Sequence, residues 1–172
     1  INIGEAAVVF VASREALTTD TQILYGYGAS SDAYHMSSPR PDGAGAIAAI
    51  RAALTSARLS PETIGWLNLH GTGTLLNDGM ESRAVAEVFG SQTAATSTKP
   101  LTGHTLAAAG ALEAALCWLH TSRRDNSEGR LPDARCPAYD PALPPIHLTD
   151  GSSRFPAGRR LALSTSFAFG GN

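Results

Sequence analysis

The run Trp66-Leu67-Asn68-Leu69, followed at once by His70-Gly71-Thr72-Gly73-Thr74, constrains the fold more than any other stretch of this chain. Four mostly apolar residues are too few for a helix, and the glycines stop any continuation. The run therefore predicts a short strand that empties into a flexible loop. A helix is expected next, with Asn77 or Asp78 as its N-cap and Glu81, three residues past Asp78, close to a capping box. Val85, Val88 and Phe89 are its expected core face.

The same alternation recurs on both sides. Glu5 to Ala12 is almost wholly apolar and predicts a strand buried on both faces, and Thr21 to Tyr27 predicts a second strand. Ser30 to Asp42 reads as loop, then Gly43 to Ala57 as a helix with Ile47, Ile50, Ala53 and Leu54 three or four apart. Pro61 opens a short helical turn, and Ala94 to Ser97 reads as a strand broken by Lys99-Pro100. The most apolar helix is expected from Gly103 to about His120. Arg123 to Pro145, rich in proline, reads as an irregular surface excursion. Ile146 to Leu148 and Arg160 to Ser164 read as closing strands. Strands alternating with helices, without a fixed repeat, predict an α/β layered sheet.

With 172 residues, 43% hydrophobic and 16% charged, the chain is one globular domain's worth. A net charge of −2 without a basic block argues against a nucleic-acid partner. No apolar run approaches the roughly 20 residues that span a bilayer, and the opening Ile-Asn-Ile-Gly-Glu reads as the inside of a longer chain. The two cysteines, Cys117 and Cys136, lack metal-ligand spacing and fit a reduced, cytoplasmic protein.

His70 is expected at the C-terminal end of a strand, where open α/β sheets bind ligands. Gly71 and Gly73 allow close approach to the backbone, while Thr72 and Thr74 offer hydroxyls. A histidine hydrogen-bonded within a turn is the plainer alternative. His104 is expected at the N-terminus of the long helix, where the dipole disfavours imidazolium and a neutral ring can donate to a developing oxyanion. Lys99 nearby further disfavours protonation, unless it is only a solvated loop charge. Glu113, amid Ala and Leu on the same helix, must be paired if buried: with a histidine, a lysine, a water or an ion. Facing solvent is the commoner fate of a helical Glu. Cys117 reads as core, and Cys136, in the proline-rich loop, is no positioned nucleophile. The glycines around His104 lack phosphate-loop order, and no metal pair at short spacing exists.

Four stretches in register resemble the β-ketoacyl-acyl-carrier-protein synthases, the condensing enzymes of the thiolase superfamily. They are Leu69 to Thr74 with Asp78 and Glu81, Ser97 to His104, Ala108 to Ala111 with Glu113, and Ser166 to Asn172. The resemblance covers residues 1–172 as the C-terminal half of that domain, with the N-terminal half and last strand absent. It implies half of an α-β-α-β-α layered fold, a mixed sheet packed by helices. It implies decarboxylative condensation of malonyl-carrier protein with an acyl thioester, in fatty-acid or polyketide-type synthesis. By the resemblance, His70 and His104 bind the malonyl thioester carbonyl, Lys99 organises the histidines, and Glu113 anchors the network or a buried water or cation. Thr72 and Thr74 hold the phosphopantetheine arm, which arrives on the carrier protein, so no resident cofactor and no metal is implied. By the same resemblance Phe167 is the gate between acyl pocket and malonyl site, Gly170 and Gly171 give its loop freedom, and Phe169 and Gly170 count with Phe167 as substrate-binding.

Ala168 stands where the family usually has Gly, Thr165 where it usually has Asn, and Leu75-Leu76-Asn77 where proline is common. Neither Cys117 nor Cys136 matches the family's nucleophile, so the chain alone is expected not to condense acyl groups. The implied partners are an acyl carrier protein, the N-terminal half bearing the cysteine, and a second subunit, identical or related. A chain-length-factor-like partner subunit and a purely structural half-domain are the alternatives.

Overall fold

The computed structural model describes residues 2–133 and 139–169. Its centre is a four-stranded sheet of β1 (Trp66–Leu69), β2 (Ala94–Ser97), β3 (His147–Leu148) and β4 (Ala162–Ser164), in the order β3-β2-β1-β4. All three pairings are parallel. The expected mixed sheet is thus, among the described residues, a parallel one. β1 lies in the middle with all four residues buried, which is why its sequence is a compact apolar run.

The two faces of β1 are covered by different helices. Leu67 and Leu69 pack with Ile50 and Leu54 of α1 (Ala44–Ala57) and with Met80, Ala84 and Val85 of α2 (Leu75–Phe89). Trp66, on the alternate face, joins Ala94, Leu131, Phe155 and Cys117, the last from α4 (Ala109–Thr121). The result is helices, sheet and helix in three layers. A four-residue helix, α3 (Lys99–Thr102), follows β2, with Pro100 in its first turn, where the missing N–H costs nothing.

Several expected elements differ. Glu5 to Ala12 and Thr21 to Tyr27 form no strand: Val9 is 90% exposed and Leu24 85%. Strands exist through their neighbours, and no described strand lies beside either stretch; Ile3 makes a single bridge, to His104. The second stretch instead runs over α1. A Cβ on Gly26 would stand 2.6 Å from the Ala57 backbone nitrogen, so only glycine permits that approach.

α2 starts at Leu75, with Thr74 as the N-cap in place of Asn77 or Asp78. The apolar helix starts at Ala109, not Gly103, because Leu106 takes a left-handed φ of 51° and a 3-10 turn intervenes. The stretch from Arg123 is not wholly surface, since Leu131 is buried against Trp66 and bonds to the Ser153 carbonyl. Cys136 lies outside the described residues.

Candidate active site

His70 sits one residue past β1 and is buried. Its backbone N–H donates to Glu81 Oε1 at 2.8 Å, and that of Gly71 donates to Glu81 Oε2 at 2.7 Å. Gly71 has a φ of 37°, and a Cβ there would lie 2.5 Å from that of Ser97. The sharp exit from β1 therefore demands glycine. It turns the chain away while leaving the imidazole at the C-terminal end of the sheet, as expected.

Three further groups converge on that ring. Lys99, buried at the start of α3, places Nζ 3.3 Å from His70 Nδ1 and forms an ion pair with Glu113 of α4. Glu113 is 2% exposed, so it is the buried, paired carboxylate and not the solvent-facing one. Burial pushes its pKa up, opposed by Lys99. The other Glu113 oxygen, Oε2, is buried without a hydrogen-bond partner. The His104 ring lies 5.4 Å from that of His70 at 86°, and the Phe167 ring 5.7 Å away at 78°.

Both histidines are shifted toward the neutral form. Burial first, then the charge of Lys99, drives His70 down to about 3, with His104 adding to it. His104 is shifted the same way, by burial and then by Lys99. The dipole of α4 plays no part, since that helix begins five residues beyond His104.

The tautomers follow from the partners. A backbone N–H can only donate, so the contact from Leu106 N at 3.3 Å makes His104 Nδ1 an acceptor. An ammonium can only donate, so His70 Nδ1 accepts from Lys99. Each neutral ring then carries its proton on Nε2. Two imidazole N–H donors in adjacent, perpendicular rings suit an oxygen that gains negative charge.

Around them, the Thr72 and Thr74 hydroxyls lie 2.8 Å apart in an open loop, where Gly73 N–H donates to Asp78 at 3.2 Å. Phe169 is exposed, while Gly170 lies outside the described residues. Cys117 is inside α4, where burial pushes its thiol up to about 12, so it is no ready thiolate. Two residues of the site had other expectations from sequence. Glu81 caps no helix; it clasps the end of β1, and the Thr165 hydroxyl reaches both Glu81 and His70 N. The available signal was position: Glu81 shares a helical face with the buried Asn77, Ala84 and Val85.

Comparison with known proteins points to one family. The family model of the beta-ketoacyl synthase C-terminal domain matches residues 22–124. The 3-oxoacyl-[acyl-carrier-protein] synthase 2 of Synechocystis is 34% identical, over 98% of this chain and 41% of its own length. The mitochondrial 3-oxoacyl-[acyl-carrier-protein] synthase of Arabidopsis thaliana is 38% identical, over 99% and 38%. Among solved structures, the ketosynthase (ApeO) in complex with its chain length factor (ApeC) from Xenorhabdus doucetiae superposes with a TM-score of 0.78. That match has 51% identity and covers 86% of this chain and 36% of the other. The chain belongs to the β-ketoacyl synthase family, in the part that forms its C-terminal domain, on a thiolase-like α/β fold. It spans about two fifths of the length of these curated relatives.

Proposed function

We propose that this chain supplies the malonyl-activating half of a 3-oxoacyl-acyl-carrier-protein synthase, and that the complete protein condenses malonyl-carrier protein with an acyl thioester. The observation that carries the reading is the pair of neutral imidazoles, His70 and His104, with Lys99 and Glu113 behind the first. Their Nε2–H groups would bind the thioester carbonyl of the malonyl group. As the carbon–carbon bond to the carboxylate breaks, carbon dioxide leaves and its bonding pair stays as an enolate. The negative oxygen would be held by both donors. The enolate carbon then attacks the acyl thioester on a cysteine outside this chain, and the cysteine thiolate leaves.

Thr72 and Thr74 would hydrogen-bond the phosphopantetheine arm, which enters through their open loop. Phe167, in contact with the His70 ring, would separate the acyl pocket from the malonyl site. The similarity to a ketosynthase that assembles with a chain length factor supports a second, related subunit as partner. Retention of His70, Lys99 and His104 favours the catalytic over the purely structural member of such a pair.

The test is malonyl-carrier-protein decarboxylation by the complete protein. His104→Ala is expected to lower kcat by about 10²–10³-fold, the usual loss for one oxyanion donor. A loss under threefold would remove His104 from the chemistry.

A further inference from the structure

The imidazole of His70 is held from one side by Lys99, but its main chain is held by a separate buried device. Glu81, from α2, accepts the N–H groups of His70 and Gly71, one on each carboxylate oxygen. Thr165, one residue past β4, meets the same point. Its Oγ1 lies 3.0 Å from His70 N, 2.7 Å from Glu81 Oε1 and 3.3 Å from the Asn68 carbonyl oxygen. A hydroxyl has one proton, and the shorter contact to a carboxylate takes it, so Thr165 donates to Glu81 and accepts from His70 N–H. The Thr165 backbone N–H also donates to Asn68, at 3.0 Å.

Glu81 and Thr165 are both buried, and the contacts that join them to each other and to the His70 and Gly71 N–H groups each have a matched donor and acceptor. Burial raises the Glu81 pKa, but two of the three groups facing it can only donate, so the ionised carboxylate is the form that uses them all. Three elements are thereby tied at one spot: the end of β1, α2 across the base of the Thr72–Thr74 loop, and the end of β4. Two residues beyond Thr165 comes Phe167, whose ring touches that of His70.

We propose that Thr165 completes, with Glu81, a clasp that positions His70, setting its imidazole against both His104 and the Phe167 loop. Thr165 is the member that joins the histidine to that loop, so it acts through His70 and does not itself touch the reacting group. The assignment of kinetic consequences rests on the malonyl-activating role of His70; the clasp itself does not.

Thr165→Val keeps the shape and removes the hydroxyl, while Thr165→Ser keeps the hydroxyl. In the complete protein, Thr165→Val is expected to lower the kcat of malonyl-carrier-protein decarboxylation at least tenfold, with KM within twofold, because small displacements of a catalytic group are costly. Thr165→Ser is expected to return kcat to within threefold of the parent. Thr165→Val with parental kcat, or Thr165→Ser as impaired as Thr165→Val, would overturn the positioning role. Hydrogen exchange at the His70 and Gly71 amides gives an independent readout. These amides should exchange at least tenfold faster in Thr165→Val and at the parental rate in Thr165→Ser; unchanged protection in Thr165→Val overturns the clasp. If the parent shows no decarboxylation, the malonyl-activating reading fails and the amide result alone decides the clasp.

Discussion

At the end of β1 polar side chains are buried and paired, while between Glu5 and Tyr27 apolar side chains stand in solvent. His70, Glu81, Lys99, Glu113 and Thr165 are all buried, and each has at least one hydrogen-bond partner from another element of the same chain. Val9, Val11, Leu24 and Tyr27 are exposed, and among the described residues no strand lies beside them. The first region is costly unless every group finds its partner, so its geometry is specified by the chain itself. The second leaves large apolar side chains exposed one after another along the chain. The buried polar groups of the first region find partners within this chain, whereas the apolar side chains of the second stand uncovered among the described residues.

The largest effect that separates the two regions is loss of one member of the buried ion pair. Lys99→Met leaves the Glu113 carboxylate unpaired and should cost about 3–5 kcal/mol in denaturant unfolding. Lys99→Met with Glu113→Leu should recover much of that. A cost below about 1 kcal/mol for the single variant would mean that the pair is solvated.

Next comes the contrast between apolar side chains. Leu67, 1% exposed in β1, should cost about 2–5 kcal/mol on truncation to Ala, while Leu24→Ala should change stability by no more than about 0.5 kcal/mol. Equal costs would show that the 21–27 stretch is packed in solution.

A smaller effect is the pH dependence from His70. Its folded pKa, about 3, lies below the ordinary value of 6.5. Below pH 6.5 the unfolded chain binds a proton that the folded chain refuses, so this contribution is fully present above pH 6.5 and is lost as pH falls toward 3. Glu113 and Glu81, shifted upward, act in the opposite sense, losing stability as pH rises through the carboxylate range. Comparison with His70→Gln isolates the imidazole: the parent should lose up to about 1.4 kcal/mol more per pH unit between 6 and 4. Parallel curves would place the His70 ring in solvent.

Local pattern made most of the helices and sheet strands legible. β1 and β2 fall where their short apolar runs predict, and α1 begins one residue later than expected. His70, Lys99 and Glu113 were each legible because a titratable group at a strand end or in an apolar helix must have a partner. Their joining into one cluster depends on pairing between β1 and β2, which spacing does not encode. The start of α2 was misplaced because Leu75 and Leu76 are exposed in its first turn, so its apolar stripe begins later than its backbone does. The strands expected at 5–12 and 21–27 were not realised because composition encodes a preference for burial, not the presence of a neighbour. Glu81 resembled a capping residue because the carboxylate that satisfies a helix end and the one that grips a distant loop occupy the same sequence position.

The claim that rests most directly on geometry is that His70 and His104 are neutral Nε2–H donors. Nitrogen-15 NMR of histidine-labelled complete protein at pH 7 measures tautomer and charge together. Both rings should show a protonated Nε2 and a bare Nδ1, with the His70 signals unchanged on acidification until well below pH 5. A His70 ring that titrates near 6.5, or that carries its proton on Nδ1, would contradict it.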